Sequence, residues 1–470
     1  MRRKLILPMI LVSAGLLAAC TDEVIVPTAV PIITPAANEA TTTPNALIPT
    51  PLPPISDETS STTPETSPQQ QSVEDRFAAD LGITFAPADS TGIEGVHAFE
   101  ATVASTGTKV WVAHTVGIRS FDPLQNHMIA IYQQDSGQWK QVTQYELVDT
   151  ATATGENNAA STQQVDANSA PTATQSVSPD YLGAGSVFQV TIEPERLWLQ
   201  VDGGAGAHSG VFGLFSFDGT ALKQEASAFS SSPGAGVVQD VNGDGIGEVV
   251  LDNSDYYVFC YACGVRNPSY TILRWDGSAM VAVEPQKLPA TAPSDLTKLN
   301  DRMLQEAQAG LWKDALATLE QVKPLSKDNE PQQWNNAWVQ INGDARREQA
   351  EMQGTAYPLL DQLFYGDFKS AVDAMRGYDA ESIFTTQTPL IIGTVAEGND
   401  QALSQTILTG VQGVIQLQPN DAATAPAYFL QAWAQSLLGN NADAVTALKQ
   451  ATTLDPEDKL FKDSLTLLNK

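Results

Sequence analysis

Residues 270–281 read YTILRWDGSAMV, a sequence that is typical of a β-hairpin. Apolar and aromatic residues flank Asp276-Gly277 on both sides, and Asp-Gly supplies the positive φ angles that a tight hairpin turn needs. The same device, a strand, an Asp/Gly turn and a returning strand, occurs at residues 131–142 and 211–223. Each hairpin also has a strand upstream, so the sequence predicts repeated units in a β-rich domain at residues 74–288.

Three units are fewer than a closed β-propeller usually needs. We therefore expect blade-like β repeats in an open stack, or an irregular β-sandwich. Unrelated hairpins that share Asp-Gly turns are the alternative. Residues 151–178 are rich in Ala, Thr, Ser, Gln and Asn and have few large apolar residues, which predicts a disordered insert.

Upstream of this hairpin, residues 240–248 read DVNGDGIGE. Oxygen-bearing side chains alternate along a glycine-rich loop, and calcium prefers six to eight such hard oxygen ligands. An EF-hand is excluded, because Leu251 stands where that loop needs a bidentate acid. The expected ligands are Asp240, Asn242, Asp244, the carbonyl of Ile246 and Glu248.

The loop resembles that of FG-GAP (integrin-type, VCBS-like) repeats, D-x-N-x-D-G-x-x-D followed by a strand, and the resemblance covers residues 237–281. Asp240, Asn242 and Asp244 match the motif, whereas Glu248 stands where the family usually has Asp. The resemblance implies a structural calcium ion. An acidic turn that binds no metal is the alternative.

The segment Cys260-Tyr261-Ala262-Cys263 is a lone C-x-x-C. In an exported protein such a pair favours a structural disulfide. Free thiols and a functional pair are the alternatives. The histidines are scattered along the sequence and suggest no zinc site with these cysteines: His97, His114, His127 and His208.

After residue 291 glycine-rich turns become rarer, and Leu and Ala recur at helical spacing, which predicts an all-α domain at residues 292–470. Three helical hairpins share a glycine, an alanine five residues later and a large apolar residue nine residues later. These sets are Gly310, Ala315 and Leu319; Gly366, Ala371 and Met375; and Gly439, Ala444 and Leu448.

The last hairpin resembles a tetratricopeptide repeat (TPR) across residues 425–458. Gln431 and Gln435 depart from the family, which usually has Leu and Tyr there, and the three units are unevenly spaced. The resemblance implies a surface that binds a protein or peptide partner; a generic helical bundle is the alternative. The matching residues are Tyr428, Ala432, Gly439, Ala444, Leu448, Ala451 and Pro456.

Residues 1–19 have a basic start and a short uncharged apolar run, as in a secretory signal peptide. Leu17-Ala18-Ala19-Cys20 resembles the lipobox of bacterial lipoproteins. The resemblance implies cleavage before Cys20, a diacylglyceryl group on its thiol and a further acyl chain, such as palmitate, on its amino group. An ordinary signal peptide is the alternative. Residues 20–73 are rich in Pro, Thr and Ser and predict a disordered linker after the lipidated cysteine.

The sequence therefore predicts a multidomain α and β lipoprotein on the extracytoplasmic side of the cell membrane or outer envelope. Its formal net charge of −29 argues against a nucleic acid partner. No G-x-S-x-G, H-E-x-x-H or phosphate-binding motif is present, so no residue is assigned a catalytic role. We expect a protein-binding scaffold. The alternatives are an extracellular polymer hydrolase and a sugar- or solute-binding protein whose cleft is lined by Trp111, Trp139 or Trp198.

Overall fold

The computed structural model describes residues 67–87, 92–121, 124–148, 178–326 and 329–470. The expected signal peptide, Cys20 and the linker as far as residue 66 lie outside these residues, as does the insert up to residue 177. The described residues belong to one compact unit of the chain. In that unit a β-rich region precedes a helical region, which confirms the predicted fold class.

Within the described residues, nine strands form one curled, half-barrel sheet. They are β1 (Gly92–Val103), β2 (Thr108–Ile118), β5 (Met128–Asp135), β6 (Gln138–Glu146), β7 (Tyr181–Leu182), β8 (Val187–Val190), β9 (Leu197–Ala205), β10 (Ser209–Phe217) and β11 (Leu222–Ser230). Strands β3 (Ser120–Phe121) and β4 (Leu124–Gln125) form a separate small hairpin. The order is β11-β10-β9-β7-β2-β5-β6, with β1 paired to β2 and β8 paired to β9.

Helix α1 (Pro68–Leu81) begins the described part of the chain and packs on this sheet. Its first six residues were expected to belong to the linker, so the folded part begins earlier than predicted. The Ser67 hydroxyl caps the helix by accepting a hydrogen bond from the Gln70 N–H at 3.1 Å. Only Val73 and Phe77 are buried, one turn apart, and two apolar residues are too few to produce a clear helical pattern.

A second sheet lies between the half-barrel and the helices. It consists, in order, of β12 (Gly236–Gln239), β13 (Glu248–Asp252), β14 (Tyr270–Trp275) and β15 (Met280–Ala282), all antiparallel. We call it the middle sheet. The hairpin predicted at residues 270–281 is confirmed as β14 and β15. The other two predicted hairpins are β5–β6 and β10–β11, and both belong to the nine-stranded sheet.

Both faces of the middle sheet are covered. Val249, Leu251 and Leu273 belong to a core shared with the nine-stranded sheet. Val250 and Ile272 belong to a core shared with helix α4 (Glu330–Glu351). Alternate residues of one strand therefore join the two regions, because neighbouring side chains of a strand point to opposite faces.

The other helices of this region are α2 (Ser294–Gln308), α3 (Trp312–Val322), α5 (Pro358–Tyr365), α6 (Phe368–Met375), α7 (Ala380–Ile383), α8 (Asp400–Leu417), α9 (Ala425–Leu437), α10 (Asn441–Leu454) and α11 (Lys459–Leu468). The three predicted hairpins are α2–α3, α5–α6 and α9–α10. Their glycines all have positive φ, and their key alanines and large apolar residues are fully buried. A Cβ on Gly366 would lie 2.3 Å from the Gly310 carbonyl oxygen, so these two turns approach too closely for any other residue.

Side-chain amides of α4 bind backbone groups that border the middle sheet. Asn335 accepts from the Gln286 N–H at 3.0 Å and donates to its carbonyl at 2.7 Å. Asn342 accepts from the Tyr270 N–H at 2.9 Å and donates to its carbonyl at 3.1 Å. Each amide therefore binds both the backbone donor and the backbone acceptor of one residue.

Gln349 extends this series. Its amide donates to the Arg266 carbonyl at 2.7 Å and accepts from the Arg266 Nε–H at 3.0 Å. Asn335, Asn342 and Gln349 are spaced seven residues apart, close to two helical turns, so they share one face of α4. We call these three residues the amide ladder.

Three of the four histidines, although scattered along the sequence, are close to one another in the half-barrel. The rings of His97 and His114 have centroids 5.6 Å apart. His114 is fully buried between two carbonyls, with Nδ1 3.1 Å from the Thr115 oxygen and Nε2 3.3 Å from the Ala184 oxygen. Burial lowers its pKa to about 4, and the two carbonyls oppose that shift only in part.

His127 is also fully buried, and its bonds fit a neutral ring. The Thr115 hydroxyl accepts from the Met128 N–H, so its own proton is available to His127 Nδ1 at 2.9 Å. This assignment leaves a proton on His127 Nε2, which lies 3.4 Å from the Asp180 carbonyl oxygen. Burial lowers the pKa of His127 to about 4.

Replacing Asn342 with alanine should destabilise the fold, because it leaves the Tyr270 N–H and carbonyl without partners. We expect the free energy of unfolding to fall by about 2 kcal/mol, and the Tyr270 amide to exchange hydrogen faster. Denaturant titration and hydrogen exchange measure the two effects. Gln401→Ala removes an exposed amide on α8 and should change stability by no more than about 0.5 kcal/mol. Equal effects of the two substitutions would contradict the role of the ladder.

Acid should destabilise the protein through His114 and His127. The unfolded chain takes up these protons near pH 6.5, whereas the folded protein resists them until about pH 4. Stability contributed by the two neutral histidines is therefore present above pH 6.5 and lost as the pH falls to about 4, by up to about 3 kcal/mol for each.

Denaturant titrations between pH 7 and pH 4 test this loss. His127→Gln should make stability less dependent on pH. His208→Gln, which replaces an exposed histidine, should leave the dependence as in the wild type. A wild-type slope that survives in His127→Gln would exclude His127 as a source of the effect.

Candidate functional site

The loop at residues 240–248 joins β12 to β13 and is tightly curved. Gly243 and Gly245 have φ angles of +83° and +86°, which favour glycine. The carboxylate of Asp240 accepts from the Gly243 N–H at 2.6 Å and from the Gly245 N–H at 2.8 Å. At Gly247 a Cβ would lie 2.5 Å from the Thr191 carbonyl oxygen, so the loop lies directly against the residue that follows β8.

The next two predicted ligands also bind within the loop. The Asn242 side-chain oxygen accepts from the Asp244 N–H at 2.9 Å, and the Asp244 carboxylate accepts from the Ile246 N–H at 2.7 Å. The Asn242 amide also donates to the Asp244 carboxylate at 2.9 Å. Ile246 is an exposed apolar side chain, and only its carbonyl was expected to bind metal.

Glu248 differs from the other predicted ligands because it is buried, with 2% of its surface exposed. Its carboxylate accepts from the Val241 N–H at 3.1 Å. Burial, helped by the negative charges of Asp244 and Asp240, raises the pKa of Glu248 to about 7, against the opposing effects of the Val241 N–H and Arg274. Three acidic side chains of the loop are thus close enough for their charges to interact.

The loop supplies the kinds of oxygen that calcium prefers, but these oxygens accept hydrogen bonds from the loop itself. In the described part of the chain, no three His, Cys, Asp or Glu side chains are arranged to hold a metal ion. Binding would therefore require the carboxylates of Asp240, Asp244 and Glu248 to turn towards a common centre. Calcium at this loop stays a prediction.

The predicted disulfide between Cys260 and Cys263 is confirmed, with Cα atoms 5.1 Å apart. It closes a single 3₁₀ turn in the loop that joins β13 to β14. Around it the loop packs into the helical region, because Val265 lies in the helical core and Phe259 makes an edge-to-face contact with Tyr357 at 6.1 Å. These contacts support the structural role predicted for the cysteines.

A second candidate site is a groove of about 480 Å³ between α9 and α10, open to solvent. On α9 its residues follow an i, i+3, i+7 spacing and therefore share one face of the helix. Gln431 and Gln435, the departures from the TPR pattern, belong to this face. The lining residues are Tyr428, Gln431, Gln435, Asp443, Thr446, Ala447 and Gln450.

The groove residues of α10 belong to no motif in the sequence. Asp443, Thr446 and Gln450 repeat the same helical spacing on the side of α10 that faces away from buried Ala444 and Leu448. Polar residues at that spacing are common on exposed helix faces. Only the packing of α9 beside α10 turns two such faces into a groove.

No catalytic arrangement is apparent among these described groups. The hydroxyl of Thr115 lies 2.9 Å from a ring nitrogen of His127, as in a nucleophile–base pair, but both residues are fully buried away from any substrate. The tryptophans considered for a sugar cleft belong to different cores. Trp111 contacts Trp139, with ring centroids 6.2 Å apart, whereas Trp198 lies 5.0 Å from Trp275 between the two sheets.

In the residues that the structure describes, no helix combines the length and apolar character needed to cross a membrane. The sequence matches no protein-family model, and a search of curated proteins finds no match to it. Function must therefore be inferred from the chain's own residues and geometry.

Proposed function

We propose that the protein is a lipid-anchored scaffold on the extracytoplasmic side of the cell membrane or outer envelope, and that its helical region binds a partner protein. The observation that carries this proposal is the open groove between α9 and α10. Its volume falls in the range of about 300–1,000 Å³ that is typical of ligand sites. The TPR resemblance of the same hairpin supports the proposal.

The lipobox-like sequence at residues 17–20 supports the anchor. Two acyl chains or more hold a protein stably on a membrane, whereas one chain binds only marginally. The linker predicted to start at Cys20, taken as a flexible coil of about 50 residues, would have a root-mean-square length of roughly 40 Å. The helical region would then reach partners beyond the lipid headgroups.

A calcium ion bound by residues 240–248 would stabilise the middle sheet in this proposal. Its ligands would be the side chains of Asp240, Asn242, Asp244 and Glu248 and the Ile246 carbonyl. A divalent cation would relieve the repulsion that these carboxylates now exert on one another. The role is structural, because the loop leads directly into β13, the strand with residues in both cores.

In-cell photo-crosslinking tests the scaffold. A photoreactive side chain is placed in the full-length chain at exposed Gln401 of α8, at Gln431 of α9, or at exposed Glu195 of the β region as the control. We expect a discrete adduct with one partner protein from a helical position and none from the control. Absence of an adduct from every helical position would contradict the proposal.

The same cells test the anchor. Cys20→Ala removes the thiol that would carry lipid, so this variant should incorporate no radiolabelled palmitate and should lose the wild type's association with the membrane fraction. The cross-link should also weaken in this variant, because the partner and the scaffold would no longer share the membrane surface. Equal palmitate labelling of Cys20→Ala and wild type would show that Cys20 is not the anchor.

Calcium should stabilise the protein. With a dissociation constant of about 10⁻⁴–10⁻³ M, as in extracellular modules, about 10 mM calcium adds roughly 1.4–2.7 kcal/mol to the free energy of unfolding. Thermal unfolding and isothermal titration calorimetry measure the effect. Asp244→Asn should abolish it, because it removes one of the expected charged ligands.

Asp218→Asn is the matched control, since Asp218 also caps an Asp-Gly turn but has no alternating oxygen ligands after it. Its calcium response should equal that of the wild type. A calcium response that persists in Asp244→Asn would place the ion elsewhere, and the lack of any response would refute the site.

A further inference from the structure

We propose that the groove between α9 and α10 binds an extended, basic segment of a polypeptide. The amides of Gln431, Gln435 and Gln450 would bind the backbone of this segment, and Asp443 would bind one of its lysine or arginine side chains. This inference rests on the proposed function, and it adds the chemical class of the partner and the residues that recognise it.

The groove offers free groups of both hydrogen-bonding kinds. Among the described residues, no hydrogen bond of the Gln431 side chain is apparent. The Gln435 oxygen accepts from Asn440 at 2.9 Å, which leaves the Gln435 NH₂ group as a donor. The Gln450 NH₂ group lies 3.5 Å from the Pro419 carbonyl, which leaves its oxygen as an acceptor. A peptide backbone presents one donor and one acceptor per residue and so matches this mixture.

The spacing of the glutamines also fits an extended chain. Gln431 and Gln435 are four residues apart on α9, a rise of about 6 Å. Equivalent backbone groups on one edge of a strand recur every two residues, about 6.6 Å. A segment lying along α9 would therefore present similar groups to successive glutamines.

The same chain already uses this mode of binding inside the fold. Gln189 accepts from the Thr102 N–H at 3.1 Å and donates to the Thr102 carbonyl at 2.8 Å, which links β8 to β1. Asn335 and Asn342 bind backbone in the same two-bond way. A side-chain amide is thus a proven partner for extended backbone in this protein, and the groove presents such amides to solvent.

Charge identifies the segment as basic. Residues 377–448, which include all of α9 and most of the groove, contain six Asp or Glu and no Lys or Arg, although exposed Lys449 of α10 follows them directly. Arg376, at one border, is already bound to Asp373 and Asp458. Asp443 is the charged residue of the lining. An acidic segment would meet repulsion there, whereas a basic one would gain an ion pair.

Binding of defined peptides to the folded full-length chain tests the inference. The probes are a capped peptide of alternating alanine and lysine, its glutamate counterpart, and the lysine peptide with N-methylated backbone amides. We expect the lysine peptide to bind, with an affinity that falls as salt rises, the glutamate peptide not to bind, and N-methylation to weaken binding about tenfold or more. Fluorescence anisotropy or calorimetry gives the dissociation constants.

Variants then locate the site. Asp443→Asn should weaken binding of the lysine peptide about tenfold, which corresponds to about 1.4 kcal/mol. Asp295→Asn is the matched control, because Asp295 is also exposed and in the first turn of a helix. The two substitutions change the net charge equally. The double variant Gln431→Leu, Gln435→Leu should weaken binding and leave thermal unfolding nearly unchanged.

Equal affinity for the lysine and glutamate peptides, or equal losses in Asp443→Asn and Asp295→Asn, would overturn the inference. Unchanged binding in the double glutamine variant would overturn it as well. The scaffold proposal would survive any of these negative outcomes if the in-cell cross-link forms at Gln401 rather than at Gln431. The two proposals therefore fail separately.

Discussion

The bonds between side-chain amides of α4 and backbone groups at the middle sheet are the constraint on which the rest of the structure depends. Apolar side chains cover both faces of this sheet, but apolar contacts are non-directional and leave the backbone groups at its margin without partners. Asn335 and Asn342 satisfy those groups from the helix. The bonds thereby fix where α4 crosses the sheet, and α2, α3 and α5 pack in turn on α4.

The loop around Cys260 and Cys263 also joins the β-rich and helical regions, in this case through residues of the β-rich region. Val265 and Phe259 of this loop pack in the helical core. Beside them, the side chain of Gln349 binds Arg266. Apolar contact supplies most of the attraction between the regions, and the polar bonds make one relative placement better than its neighbours. The groove between α9 and α10 belongs to that same helical region, through packing of α9 on α6 and α8.

Local signals in the sequence predict local structure well. Asp276-Gly277 marks a hairpin and Gly310, Gly366 and Gly439 mark helical turns, because each requires a backbone conformation that few residues adopt. Helix α1 is missed because Val73 and Phe77 are its only buried residues. The merging of two hairpins into one sheet and the bonding of Asn342 to Tyr270 depend on which distant segments pack together. No short sequence pattern carries that information.

The seven-residue spacing of the ladder has a consequence for how the chain can change. Seven residues are slightly less than two full turns, so each amide faces almost the same direction as the one before it. Inserting or deleting one residue between Asn335 and Asn342 would rotate one of them by about 100° relative to the other. Substitutions on the outer face of α4 are compatible with the junction, whereas changes in its length are not. The length of α4 sets the relative positions of the amides, so this length should tolerate change far less than the residues on its exposed surface.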